Sequence, residues 1–473
     1  PVEMPSRSKF SRRGMMNHNH NHSIQYKRSL EDLLNLRRSA WHSYFRAAKL
    51  ESFSWRQAHK PLGRQIKSFI NTMTWVLIYL KYRFGRRHPF LDYTGDPTHG
   101  IYPLVSKLPV NGHRHTAGEI RMSLAGDWAT GTSESSTIAD HIRKFKPHYT
   151  IHLGDIYFVG ESSEVEQNCL GNPQGRRIRA VTWPLGSNGS FALNGNHEMY
   201  ANGHAYFDHL LPRLGMRPGP GMRAAGQRAS YFCLKNEHWL VLALDTGYNS
   251  IGLPIFERIC YLKKIPHLGG NCSLPPAILR WLREDVQPEL EGRGVVLLTH
   301  HQYYSSFEDC FPGAGRQLAE FISKPVLWFW GHEHRMAVYG QYQAKRGIEA
   351  YGRCIGHGGM PVTIQARPKH KAKQGPLVIY DNREYRRVSG MPVGHNGYVN
   401  LIFEGPQLKV EYRDLRKHEN LLLTEVWETQ DGNLTGTEIR LSTNENEFRQ
   451  YHPDLRQAIS PAAQDEPESI SVL

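Results

Sequence analysis

The chain has 473 residues, 39% hydrophobic and 22% charged, with 6 cysteines. That is enough apolar matter for two or three domains, or one large domain with additions, and it excludes wholesale disorder and a small disulfide-stapled scaffold. The net charge of +14 sits almost wholly in residues 1–100, where 18 Lys and Arg face 6 Asp and Glu, so the chain as a whole does not read as a nucleic-acid binder.

Residues 1–28 are polar and basic, lack the apolar stretch of a signal peptide, and read as a disordered basic tail. The tail holds Asn17-His18-Asn19-His20-Asn21-His22; such a run binds metal weakly, but a solvated tail is the plainer reading. Apolar spacing predicts a helix from Ser29 to about Leu50, capped through Ser29 and Asp32, and a second from Pro61 to about Phe84. Ile66, Phe69, Ile70, Met73, Val76, Leu77 and Leu80 line one face of the second, flanked by Lys60, Arg64 and Lys67 before and Lys81, Arg83, Arg86 and Arg87 after. That face packs on the rest of the protein or, in the sharper reading, lies on an anionic membrane surface. The longest nearly uncharged apolar stretch, Phe69 to Leu80, is shorter than the roughly 20 residues of a spanning helix, so no integral membrane span is expected. Residues 29–116 thus form a helical basic extension and linker.

From about 117 to 444 short β-branched runs alternate with helical stretches, the pattern of an α/β layer architecture with a largely parallel sheet. Strands are expected at Ile120–Ala125, Tyr149–Leu153, Phe191–Leu193, Val295–Leu298 and Val326–Phe329. Helices are expected at Ser133–Lys146, Ala205–Leu214, Pro276–Glu291 and Gln317–Ile322, with a hairpin of Tyr231–Leu234 and Trp239–Leu244. Arg213–Ser230 reads as a long loop whose Arg213, Arg217, Arg223 and Arg228 could cover a site. Beyond about 375 the helices give way to antiparallel strands at Pro376–Tyr380, Tyr398–Phe403, Leu408–Arg413 and Leu421–Glu428, and residues 445–473 read as a loosely held polar tail. The cysteines form no C-x-x-C pair and read as free, mostly buried thiols of a reducing compartment.

Five polar clusters follow apolar strands: Gly126-Asp127-Trp128, Gly154-Asp155-Ile156-Tyr157, Gly195-Asn196-His197-Glu198, His300-His301 and Gly331-His332-Glu333-His334. In an open α/β sheet the carboxyl ends of strands converge on one crevice. One G-D or H-x-H is an ordinary turn, but all five at strand ends make a metal site of carboxylate, amide and imidazole donors suited to Mn, Fe or Zn. His332 and His334 are two apart, so an extended chain points them to one side and turns Glu333 away. Six donors are too many for one ion and fit two, about 3.5–4 Å apart; such a pair lowers the pKa of a bridging water from 15.7 toward about 7. His197 supplies the proton donor a leaving oxygen needs. His301, Tyr200, Arg335 and His357 are expected to line the crevice by adjacency, to contact phosphate or simply to pack.

The order GD, GDIY, GNHE, HH and GHEH resembles the calcineurin-like metallophosphoesterase superfamily, which includes the purple acid phosphatases, over roughly residues 117–430. The resemblance implies a four-layer α/β/β/α sandwich, here with an N-terminal helical extension, and a dinuclear centre of two divalent or mixed-valence transition metal ions. It implies that Asp127 and His334 hold one ion, Asn196, His300 and His332 the other, and Asp155 bridges them. His197 would act on the leaving group and Glu198 orient its imidazole. The first motif lacks the His many members carry after Asp, as the purple enzymes also do. Those enzymes add a tyrosine ligand three residues past the bridging Asp, whereas Tyr157 lies two past Asp155 and is either a shifted ligand or a packed aromatic.

The expected function is therefore hydrolysis of phosphate esters, a metal-bridging hydroxide attacking phosphorus, with phosphomonoesters favoured. The alternatives are a phosphodiesterase or nuclease whose basic residues 1–100 bind nucleic acid, and a non-catalytic membrane-associated binding protein. The expected location is cytoplasmic, or peripheral at a membrane.

Overall fold

Gly294–Thr299 and Val326–Trp330 are buried along their whole length, as strands interior to a parallel sheet must be. They lie at the centre of a nine-stranded sheet. On one side of them come Trp239–Ala243, then Phe232–Lys235, then the edge strand Ile101–Pro103. On the other side lie Glu349–Ile355, parallel, and then antiparallel Met336–Gln343, Leu377–Tyr380 and Arg449–Gln450. A second, eight-stranded sheet begins as an antiparallel meander of Asn433–Leu441, Leu421–Gln430, Gln407–Asp414 and Gly397–Glu404. It continues into parallel Ile120–Ala125, Tyr149–His152 and Gly189–Ala192 and closes on Gly215–Met216. The computed structural model describes residues 85–108, 118–157, 159–173, 180–217, 223–251, 271–364, 376–388, 391–442, 449–450 and 454–461. The tail of 1–28 with its histidine run and the helices expected over 29–50 and 61–84 lie outside them.

The two sheets pack face to face. Leu124, Ile151, Phe191 and Leu401 of one meet Val241, Val296, Leu298 and Phe329 of the other in a single apolar cluster. The outer face of the nine-stranded sheet presents Leu240, Leu242, Leu297 and Trp328 to Ile278, Trp281 and Leu318 of helical segments. The outer face of the eight-stranded sheet presents Ala125 and Ala192 to Ile138, Ile142, Val165 and Leu210. Helix, sheet, sheet, helix is the four-layer α/β/β/α sandwich the sequence predicts. Among the described residues no helix is long and apolar enough to cross a membrane.

The helix Ser133–Phe145 forms where expected, because the Thr132 hydroxyl accepts from Ser135 N and Lys146 ends it in the left-handed region. Three helices need correction. Pro276–Glu291 is α-helical only to Trp281, then widens to a π turn at Leu282–Val286 and ends in a tighter 3-10 turn carrying Pro288. Ala205–Leu214 likewise becomes a π turn at Tyr206–Leu210 and a 3-10 turn carrying Pro212. The helix expected at Gln317–Ile322 lies at Gly313–Leu318; Phe321 and Ile322 supply apolar burial from the turn after it, which mimics helical spacing. Residues 454–461 are not loosely held: Ala458 and Ile459 belong to the central core, and the Ala458 carbonyl accepts from buried Arg353 at 2.8 Å.

Candidate metal centre

Each of the five polar clusters begins at the carboxyl end of a strand. Asp127, Asp155 and Asn196 follow Ile120–Ala125, Tyr149–His152 and Gly189–Ala192 of the eight-stranded sheet. His300 and His332 follow Gly294–Thr299 and Val326–Trp330 of the nine-stranded one. The chain turns sharply there. Asp127, Asp155 and His332 all have positive φ, 57°, 71° and 66°, a conformation that non-glycine residues adopt only where their surroundings hold them to it. Gly154 has φ 99°, and a Cβ on it would stand 2.8 Å from His300 Nδ1; a Cβ on Gly195 would overlap the Asp155 carboxylate.

The side chains gather in two adjoining groups. In one, the Tyr157 hydroxyl lies 2.6 Å from Asp127 Oδ1, 3.1 Å from Asp155 Oδ2 and 3.0 Å from His334 Nε2. In the other, His300 Nε2 is 3.2 Å from Asp155 Oδ1 and 3.3 Å from His332 Nδ1. The Asp155 carboxylate therefore spans both. Asn196 starts a short helix, and its amide nitrogen donates to the Tyr200 hydroxyl at 3.1 Å.

These contacts fit cations. A phenol has one proton, and three acceptors compete for Tyr157's. A carbonyl can only accept, so the 2.8 Å contact of His300 Nδ1 with Leu153 O puts the proton on Nδ1. The Nε2 lone pair then faces a carboxylate oxygen and another imidazole nitrogen. In the neutral ring these lone pairs converge at 0% exposure and call for positive charge between them, as a ring proton or a metal ion; burial works to lower the His300 imidazole, but the Asp155 carboxylate outweighs it and raises it to about 9. Burial works to raise the Asp155 carboxyl, but His197, His300 and His332 outweigh it and hold it well below the usual range. Burial, then the charges of Asp127 and Asp155, push the Tyr157 phenol well up. The donors of Asp127, Asp155 and His300, and those of His300, His301 and His332, lie within 4.8 Å of one another as sets that can hold a metal ion.

His301 belongs to the second set by distance, yet its hydrogen bonds suggest another role. The buried Thr246 hydroxyl accepts from His301 N at 3.0 Å and lies 3.1 Å from His301 Nδ1. Nδ1 is the acceptor available for the hydroxyl proton, which puts the ring proton on Nε2 and makes that atom a donor. Thr246 was not among the residues the sequence singled out. The signal was present: Leu244-Asp245-Thr246-Gly247 is a sixth polar cluster after an apolar strand. Asp245 there accepts from Ser230, Asn194 and Tyr248, and burial pushes its carboxyl up to about 6.

His197 is 3% exposed. Its backbone N donates to Asp155 Oδ1 at 3.0 Å, its Nε2 lies 3.7 Å from Asp155 Oδ2, and its ring packs against Tyr157 and Tyr200 at 4.3 and 4.9 Å. Glu198 does not reach that imidazole. Its Oε2 accepts from Asp155 N and Gly195 N, at 3.2 and 2.9 Å, so it ties the second and third clusters together. Burial, then the Asp155 charge, push its carboxyl up to about 8.

Residues 331–335 are bent rather than extended. His332 turns to His300 and His301 while His334 turns to Asp127 and Tyr157, and Glu333 points away to Arg335, 3.5 Å off. Arg335 lies over Phe307 at 4.0 Å with 2% exposure, so it packs rather than lines the crevice. His357 does not join the cluster: its ring lies against Gly397, in a buried surround of Asp381, Arg383 and Asp414, and burial pushes it down to about 4. Arg213, Arg217 and Arg223 line a separate cavity of about 260 Å³ with Leu185 and Ser190, touching none of the clustered residues.

Residues 121–336 match the family model described as calcineurin-like phosphoesterase. No curated protein matches the sequence. Among solved structures the chain is similar to GAP50, the anchor in the inner membrane complex of Plasmodium, at 12% identity and TM-score 0.40, over 66% of this chain and 89% of that one. It is similar to purple acid phosphatase PPD1 from yellow lupin (Lupinus luteus) seeds at 14% identity and TM-score 0.38, over 68% of this chain and 54% of that one. It is also similar to PhoD, at 14% identity and TM-score 0.40, over 70% and 73%. Over residues 121–336, a little under half of its length, the chain is thus similar to the calcineurin-like phosphoesterases, and its donor clusters are those of a metal-dependent phosphoester hydrolase.

Proposed function

We propose that the protein hydrolyses phosphate esters with two ions held side by side in the cluster, phosphomonoesters being the favoured class. The observation that carries this reading is the division of donors into two groups joined by one carboxylate. Asp127, Tyr157 and His334 would hold one ion and Asn196, His300 and His332 the other, with Asp155 between. Oxygen and imidazole donors together suit Mn, Fe or Zn. When bound, such a pair activates a water as nucleophile and neutralises the phosphoryl oxygens.

The chain's own residues supply the rest. His197, beside Asp155 and buried under two tyrosine rings, is placed to hand a proton to the leaving oxygen. The His301 Nε2–H, set by Thr246, is a donor for a phosphate oxygen. Glu198 is a positioning residue that keeps Asp155 and Asn196 in register. Monoesters are favoured because Trp128-Ala129 supplies no first-motif imidazole while the Tyr157 hydroxyl stands among the donors, the acid-phosphatase pattern. Cys169, Cys233 and Cys354 are buried free thiols, which supports a reducing, cytoplasmic setting.

The test is turnover of p-nitrophenyl phosphate against bis(p-nitrophenyl) phosphate after loading with Mn, Zn or Fe, with Asp155→Asn as control. Metal-dependent monoester turnover that vanishes in the variant is expected. Preference for the diester would favour a phosphodiesterase or nuclease, with the basic residues 1–100 as its nucleic-acid grip. Turnover that survives Asp155→Asn would overturn the two-ion reading.

A further inference from the structure

A second set of imidazole and carboxylate donors converges away from the metal centre, where the segment 86–92 crosses the turn that follows Gly203. We propose that His88, His204 and Asp208 form a separate zinc-type site that clamps this segment to the domain. Their donor atoms all lie within 4.8 Å of one another, and none is shared with the catalytic cluster.

The hydrogen bonds fix which ring nitrogens face inward. His88 Nδ1 lies 2.7 Å from Pro89 O and His204 Nε2 lies 2.9 Å from Arg86 O. Both partners are carbonyls, so both of those nitrogens carry protons. The remaining nitrogens face one carboxylate: His88 Nε2 is 3.2 Å from Asp208 Oδ1, and His204 Nδ1 is 3.7 Å from Asp208 Oδ2. In neutral imidazoles these atoms bear lone pairs, and a lone pair against a carboxylate oxygen is repulsive. Either each ring carries a second proton or one cation stands between the three.

The distances favour the cation. The 3.7 Å gap is too long for a hydrogen bond. Two donors about 2.0–2.2 Å from one tetrahedral ion stand about 3.4 Å apart, and the two observed gaps bracket that spacing. Backbone carbonyls on the outer nitrogens are the partners that orient metal-binding histidines. The rings are also held from the side: His88 stacks on Phe207 at 4.7 Å and 14°, and meets His204 edge-on at 5.4 Å. Two imidazoles and a carboxylate with a fourth position open to water form a zinc set.

Such an ion would reinforce a strap already in place. His88 N donates to Asn202 O at 2.9 Å, Arg87 reaches Tyr248 O and Ile251 O at 2.9 and 2.8 Å, and the Tyr248 hydroxyl donates to His88 O at 2.8 Å. The site would close a loop between residue 88 and residues 204–208.

The full chain is dialysed against chelator-buffered Zn²⁺ at pH 7.5 and its metal content measured, for the wild type, His204→Ala and Asp208→Asn. Both substituted side chains are about half exposed, so folding is expected to be kept. Each variant should bind one zinc fewer per chain while p-nitrophenyl phosphate turnover stays at the wild-type level; the histidine run at 18–22 contributes equally to all three. Zinc should also raise the melting temperature of Asp155→Asn, and that rise should disappear when His204→Ala is added. Equal zinc content in all three chains, or a zinc-induced rise that persists in the double variant, would show the rings to be held by protons and overturn the proposal.

Discussion

Tyr157→Phe removes one oxygen and keeps the ring that packs on His197 at 4.3 Å. The oxygen it removes lies within 3.1 Å of Asp127, Asp155 and His334, so its loss acts on three donors of one ion position. Even the loss of a group that only positions metal ligands costs about 10–100-fold in metal affinity or activity, about 1.4–2.7 kcal/mol, and the loss of a ligand costs no less. The expected result is a 10–100-fold rise in the metal concentration needed for half-maximal p-nitrophenyl phosphate turnover. Turnover at saturating metal should fall less. The assay is an activity titration of the chelator-stripped enzyme, wild type beside variant, with direct metal binding measured in parallel. Half-saturation within twofold of wild type would refute the reasoning and return Tyr157 to the role of a packed aromatic.

His197→Ala should lower kcat about 10²–10⁴-fold, and more for alkyl phosphates than for p-nitrophenyl phosphate, whose leaving group needs little protonation; an equal loss on both would remove His197 from leaving-group protonation. Arg353→Met should destabilise the domain by about 3–5 kcal/mol in urea denaturation, because Arg353 is fully buried, pairs with buried Glu425 at 3.0 Å and donates to three carbonyls; a change under 1 kcal/mol would show the pair to be replaceable. Asp245 is a carboxyl whose folded value, about 6, exceeds its ordinary 3.8. The folded state then holds the proton more tightly, so stability is full below about pH 4 and falls as pH rises through 6, by about 3 kcal/mol. Asp245→Asn should flatten that decline in denaturation curves of metal-free protein between pH 4 and 7, and an unchanged slope would count against it.

The gathering of candidate metal donors was legible because such chemistry demands unusual residues at strand ends, and Asp127, Asp155, His300, His332 and His334 stand out by type and place. Thr246 and the role of Glu198 were not, since a lone hydroxyl and a carboxylate next to a histidine have many uses and only coordinates show which nitrogen they face. His357 misled because its backbone does run beside the cluster, with Gly356 against Asp127, while its ring turns away to Gly397. Apolar runs located the parallel strands well. Met336–Gln343 and Glu349–Ile355 were missed, because their glycines and mixed Tyr, Gln and Arg hide a period of two, while the opposed sheet covers one face and the helical layer the other.

The strand order also bears on how the protein can be made. Ile120–Ala125, which carries Asp127, is bordered by Gly397–Glu404, so its neighbour leaves the ribosome some 280 residues later. Until then a growing chain holds the Asp127 strand with an unpaired edge, a template for wrong partners. A fragment ending at residue 336 would contain every metal-cluster side chain and still lack the strand that seals the first of them. Pairing so distant in sequence makes for slow folding, and the hydrolase becomes competent only after Gly397–Glu404 has been made.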